Sequence, residues 1–220
     1  PVSGDGLNLL AMKEYGKSLY GEDHREYMPG LKAEDIQQED SLRMLHNRIV
    51  GVLECFDPAI FISKDKKDEL LVKFLIYHVA KNLIDLGSSL LSFKKMYVCS
   101  YMERVKVLKE NFEKFNIAKK FPQLPEIVEK WTEFKLNPDI EGLLRQRGFD
   151  NPTYENMVEV GKDLWFEHVG YLESLWIYEV QKIHNTESTD ISKLINIYFA
   201  RSNTLRGQLI GCYRYLAKKP

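Results

Sequence analysis

Cysteine is scarce in this 220-residue chain, and its placement excludes more than its number does. Cys55, Cys99 and Cys212 are odd in number and far apart, which argues against a disulfide framework or a zinc site built on cysteine. The pattern leads us to expect buried thiols in a reducing cytoplasm. A surplus of charge is also missing. Lys and Arg number 31 against 32 acidic residues, a formal net charge of −1, so no general attraction to nucleic acid or to a membrane surface is expected. No apolar run approaches the roughly 18 residues that a membrane span requires. There is no signal-peptide pattern, and the chain starts at Pro1 rather than at a methionine, so part of the gene product is expected upstream. His24, His46, His78, His168 and His184 never stand three or four apart, which excludes a helical zinc pair. A Gly-x-Ser-x-Gly elbow, a P-loop and a dinucleotide fingerprint are all absent.

What is present is apolar periodicity. Hydrophobic residues make up 44% of the chain, and a chain of this length can bury roughly 70% of the surface it exposes when unfolded. Leu42, Leu45, Ile49 and Val52 recur at steps of three and four, which predicts an amphipathic helix over about residues 34–56, closed by Asp57-Pro58. Residues 66–92 are apolar round more than half the circumference, from Leu70 and Leu71 to Leu90 and Leu91, as a central helix would be. A third helix is expected near 96–115 and a shorter one near 124–135. Two Asn-Pro pairs, Asn137-Pro138 and Asn151-Pro152, bracket Gly142 and Gly148, so a hinge loop with at most a turn or two of helix is expected over 137–152. Long helices follow at about 153–185 and 189–217, the second capped by Thr189 or Asp190. The expectation is therefore an all-α, long-helix bundle of about six helices.

Charge is locally uneven. Residues 94–120 hold eight Lys/Arg against three acids, whereas residues 151–180 hold six acids and one lysine. Glu155, Glu159, Asp163 and Glu167 repeat every fourth residue and form an acidic ridge on one helix face. Each such like-charge pair costs about 0.2–0.5 kcal/mol, so the ridge is either solvated, packed against the basic helix, or a site for a cationic substrate or ion. Asp139-Ile140-Glu141 sits between the Asn-Pro pairs and reads as turn chemistry. Gly87-Ser88-Ser89 lies inside a helical pattern with no Asp-x-Asp after it and reads as a helix-packing or kink site. Gly207 and Gly211 share one face of the last helix, where a neighbouring helix could approach; Arg201, Arg206 and Arg214 flank them.

The start of the chain reads differently. Leu7, Leu9, Leu10 and Met12 lead to Gly16, then to a brief Ser18-Leu19-Tyr20 extension, a second glycine at Gly21 and a polar break. A short helix, a glycine stop and a short strand suggest an α/β remnant at the N-terminus. Together with Asn47-Arg48, Lys81, Asp85 and the Tyr-x-x-x-Tyr-x-x-Arg run of Tyr97, Tyr101 and Arg104, the Gly16–Gly21 segment resembles the downstream part of DNA polymerase β-like nucleotidyltransferases of the aminoglycoside type. The match covers about residues 7–110. The resemblance implies that residues 1–30 are the tail of a nucleotidyltransferase-like α/β domain and 31–136 a helical bundle. Residues 137–152 would then be the hinge, and 153–220 two long helices packed on the bundle. It also implies an upstream catalytic domain as partner, with Mg²⁺ and ATP serving the full enzyme. In that picture Lys81 would contact a nucleotide phosphate, with Asp85, Tyr97, Tyr101 and Arg104 completing the substrate wall. The family's Gly-Ser turn and paired metal-holding carboxylates are missing, so the chain alone is not expected to be catalytic.

The alternative is a non-enzymatic interaction or scaffold bundle, a homodimer through its last two helices. Helical RNA-cleaving domains, often paired with minimal nucleotidyltransferases, need an Arg followed four to six residues later by His. Arg43 and His46 are too close for that pattern.

Overall fold

Helix formation accounts for all the regular structure among the described residues of the computed structural model, which are 6–28, 30–54 and 69–201. Eight α-helices occur among them: α1 (Gly6–Tyr15), α2 (Gln38–Glu54), α3 (Glu69–Phe93), α4 (Tyr101–Asn111), α5 (Leu124–Leu136), α6 (Ile140–Gln146), α7 (Tyr154–His184) and α8 (Ile191–Arg201). Short 3₁₀ turns join several of them. The count exceeds the expected six because α1 stands as a helix in its own right and the hinge loop carries α6. No helix among the described residues is long and apolar enough to cross a membrane.

The short helix expected at the N-terminus is present as α1, but the strand of an α/β remnant is not found among the described residues. Residues 16–23 adopt no regular structure, and Leu19 and Tyr20 are 96% and 99% exposed. A strand must place its N–H and C=O groups on a neighbouring strand, and none occurs among the described residues. The segment is organised locally instead. Asp23 accepts from the Arg25 backbone N–H at 3.1 Å and from its guanidinium, and Arg25 in turn donates to the Gly16 carbonyl. Those hydrogen bonds from Arg25 hold the Asp23 carboxyl down at about 2.

The chain divides within α7 into two compact units, Pro1–Leu175 and Trp176–Pro220. In the first, α3 is central. Every residue from Leu86 to Phe93 is buried, with α2, α4 and α5 packed around this helix. Gly87 makes the packing possible, because a Cβ there would fall 2.9 Å from Val128 and 3.1 Å from Leu108. Ser89 then donates to the Ser41 carbonyl of α2 at 3.0 Å. The Gly-Ser-Ser triplet is thus a packing device. Further back along α3, Asn82 meets His168 of α7 at 3.3 Å inside the core.

Local sequence sets the helix ends. Ser100 and Thr153 accept from backbone N–H groups of Glu103 and Asn156, capping α4 and α7. Asp139 does the same for α6 through the Gly142 N–H at 2.8 Å, so the Asp-Ile-Glu stretch is turn and cap chemistry. Asp190 rather than Thr189 caps α8, accepting from Lys193. Three helices end with a 6→1 hydrogen bond across a left-handed residue: Lys95 after α3, Gly148 after α6 and Asn185 after α7. Gly170, by contrast, is exposed in the middle of α7, with nothing beyond its chain neighbours and its own helix backbone within 4 Å of where a Cβ would stand. A helix-interior glycine costs about 1 kcal/mol relative to alanine, and no packing contact offsets that at this position.

In the second unit, Trp176, Val180, Leu194 and Tyr198 are buried, and the Trp176 and Tyr198 rings stand edge to face at 6.1 Å. Gln181 fixes the turn between the helices by donating to the Ser188 carbonyl at 2.8 Å. Gly207, Gly211, Arg206 and Arg214 lie outside the described residues, as do Cys55 and Cys212.

Candidate functional site

Five residues spread between positions 48 and 104 converge beside the buried half of α3. Asp85 projects from α3 and meets Arg48 Nε of α2 at 2.8 Å, with both side chains mostly buried. The ion pair is close, but the N–H does not align on the carboxylate as a hydrogen bond. One turn after Ser100 caps α4, Arg104 turns inward and is 8% exposed. Its guanidinium donates to the Ser88 hydroxyl of α3 and, at 3.2 Å, to the Cys99 carbonyl. The same group lies 5.1 Å from the Tyr97 ring centroid and 4.2 Å from that of Tyr101. Cation–π contacts of this kind contribute about 0.5–2 kcal/mol each, most when desolvated.

Lys135, near the end of α5, completes the cluster. Its ammonium donates to the Tyr101 hydroxyl and lies 4.2 Å from the ring centroid. Lys81 is one turn before Asp85 on α3 and is exposed. It acts on Asp85 through charge, while the ion-pair partner of Asp85 is Arg48.

Electrostatics follow from burial. Desolvation pushes the Asp85 carboxyl above its ordinary range, even though Arg48, Arg104, Lys135 and Lys81 all pull it down. Four cations act on this one carboxylate, so positive charge predominates around it. Burial likewise raises the Tyr97 phenol. Cys99 is a free thiol pushed up to about 12 by burial and by a hydrogen bond with Glu14, which disfavours the thiolate at neutral pH.

This donor set suits anionic oxygen. The Nε atoms of Arg48 and Arg104 are buried without a hydrogen-bond acceptor. Among the described residues no group of three or more His, Cys, Asp or Glu side chains could hold a metal. A single carboxylate among four cations presents donors to a phosphate and offers little to Mg²⁺.

Comparison with known proteins adds no assignment. No family model, curated protein or solved structure matches the chain. The cluster therefore has to be read from its own chemistry.

The acidic ridge is elsewhere. Glu155, Glu159, Asp163 and Glu167 are all exposed on α7. Arg147, just past α6, forks onto Glu167 with hydrogen bonds of 2.8 and 2.9 Å. The guanidinium is raised first by that hydrogen bond, with Asp163 adding charge. Glu167 thus takes a counter-ion from the hinge segment.

Of the site residues expected from sequence, Asp85, Tyr97, Tyr101 and Arg104 come together with Arg48, and Lys81 lies at their edge. Lys135 is the addition. Its only sequence signal is its place among the polar positions of α5, and tertiary packing alone brings it to Tyr101. Asn47, next to Arg48, is exposed.

Proposed function

We propose that the chain is the helical substrate- and nucleotide-binding portion of a polymerase β-like nucleotidyltransferase, acting with an upstream catalytic domain. One observation carries the reading: residues that resemble that family at scattered positions come together, Arg48 on the Asp85 carboxylate and Arg104 on the Tyr97 and Tyr101 rings. Each cation has a distinct part. Arg48 and Arg104 are mostly buried and hold Asp85 and the tyrosines in place. Lys81, exposed, and Lys135, half-buried, are the cations a phosphate can reach. Lysine suits that task as a point charge on a flexible stem. Tyr101 already carries two cations within 4.2 Å, which leaves Tyr97 for contact with a base. Mg²⁺ in the full enzyme would stabilise the attacking and leaving oxygens, held by carboxylates of the upstream domain.

Calorimetric titration of the full-length protein with ATP and Mg²⁺ tests this reading. Binding that weakens about tenfold in Lys81→Ala supports it, in line with the roughly 1.5–3 kcal/mol of a charged hydrogen bond. Absence of binding, or a silent Lys81→Ala, removes it. The gene upstream of Pro1 should encode a Gly-Ser turn and two alternating carboxylates.

A second reading, an interaction bundle, is favoured by exposed apolar side chains. In the first unit Met12, Tyr15, Leu19, Tyr20 and Tyr27 are exposed; in the second, Ile191 and Ile195 stand one turn apart on α8. Mass measurement in solution tests it: a monomer at all concentrations excludes the homodimer.

A further inference from the structure

A cleft of about 590 Å³ opens between α5 and α7, and none of its lining residues belongs to the Asp85 cluster. Its volume falls in the range of small-molecule sites, about 300–1,000 Å³. We propose that this cleft binds a flat aromatic ring bearing a carboxylate.

Three observations converge. The first is an aromatic frame. Trp131 and Leu83, both nearly fully buried, form apolar lining, and Phe121 and Tyr171 stand against each other at 5.0 Å. Gln123 donates to the Tyr171 hydroxyl at 2.9 Å and holds that ring in position. Rigid aromatic surfaces of this kind favour another flat π-system, by offset or edge-to-face contact.

The second is charge. Lys130 lines the cleft and is exposed, and Lys120 reaches the lining hydroxyl of Ser174 at 3.3 Å. Arg147 and Glu167 also line it, but they neutralise each other through their forked pair. The two lysines therefore give the cleft a positive balance, which selects an anion over a neutral or cationic ring.

The third is Gly170. It lines the cleft from the middle of a long helix, with nothing beyond its chain neighbours and its own helix backbone within 4 Å of a built Cβ. The residue carries the helix-propensity penalty of glycine without any helix packing against it. Bare backbone at that point keeps the wall open to a ligand, which is the use of glycine where close approach is needed. This proposal does not rest on the Asp85 cluster, and the two can fail separately.

The test uses 2-naphthoate as the probe, titrated calorimetrically into the intact protein beside 2-naphthol and 2-naphthylmethylammonium. Naphthoate should bind at least fivefold tighter than the neutral ring and tighter still than the cation. Gly170→Leu, which raises helix propensity and should fold, ought to weaken naphthoate at least tenfold by filling the cleft. Lys130→Glu should weaken it three- to tenfold and leave naphthol unchanged. No binding at millimolar naphthoate overturns the proposal, as does equal or tighter binding of the ammonium compound. Naphthoate affinity unchanged in Gly170→Leu overturns it too.

Discussion

Arg48 meets Asp85 at 2.8 Å with both side chains mostly buried, whereas Arg147 forks onto Glu167 with Glu167 half exposed. The same chemical pair has opposite consequences. At Asp85 burial outweighs the pull of four cations and raises the carboxyl above its ordinary range. At Arg147 the hydrogen bond outweighs desolvation and raises the guanidinium. Location in the fold, rather than residue type, decides whether such a pair governs stability. The buried pair is a commitment of the core, because removing either partner leaves the other desolvated. The exposed pair is screened by water and salt.

The sharpest way to break this comparison is Arg48→Ala. Loss of one partner of a buried pair costs about 3–5 kcal/mol, and the low end is expected because Lys81, Arg104 and Lys135 still face Asp85. Urea unfolding at neutral pH should show the loss. The deficit should shrink at acid pH, where Asp85 protonates. A deficit independent of pH would mean that packing of the arginine stem, not the carboxylate, carries the effect.

His168 sharpens the role of burial without any ion pair. Desolvation lowers it to about 4, and its neutral ring, with the proton on Nδ1, can donate to the Leu164 carbonyl and accept from Asn82. The folded pKa lies below the ordinary 6.5, so between these values the unfolded chain binds more protons. Stability is whole above about 6.5 and falls with pH down to about 4, by roughly 3 kcal/mol at 1.36 kcal/mol per unit. Unfolding free energies of His168→Gln across that window should lose most of this slope. An undiminished slope would assign the pH dependence to other groups.

Arg147→Ala is the smallest effect. Exposed pairs contribute about 0–1 kcal/mol, and the change should fade at high salt. A loss above about 2 kcal/mol would place this pair with the buried one and remove the contrast.

The helices that bury a stripe were legible because their apolar spacing is regular. Predicted spans of 66–92 and 124–135 lie within a few residues of Glu69–Phe93 and Leu124–Leu136. The seven residues of α6 match the expected turn or two of helix in the hinge, but the Asn-Pro and glycine signals around them, which encode caps as readily as loops, hid its bounds. Leu19 and Tyr20 looked like a strand because local propensity favours one, but strands are completed by partners that local sequence does not specify. At the candidate site, Asp85, Tyr97, Tyr101 and Arg104 came from resemblance. Lys135 did not, since it lies 50 positions from Asp85 and only the packing of α5 brings it near. The spacing of the ridge was legible, but its counter-ion Arg147 comes from beyond α6, which no periodicity indicates.

The central claim is that Lys81 and Lys135 form a phosphate-reaching edge with Asp85 as a competing anion. Calorimetric titration of inorganic triphosphate into the wild type, Lys135→Ala and Asp85→Asn tests it most directly. The account predicts binding that falls with salt, weakens about tenfold in Lys135→Ala and tightens several-fold in Asp85→Asn, each near the 1.4 kcal/mol that one decade represents. Equal affinity in all three proteins, or weaker binding in Asp85→Asn, would contradict it.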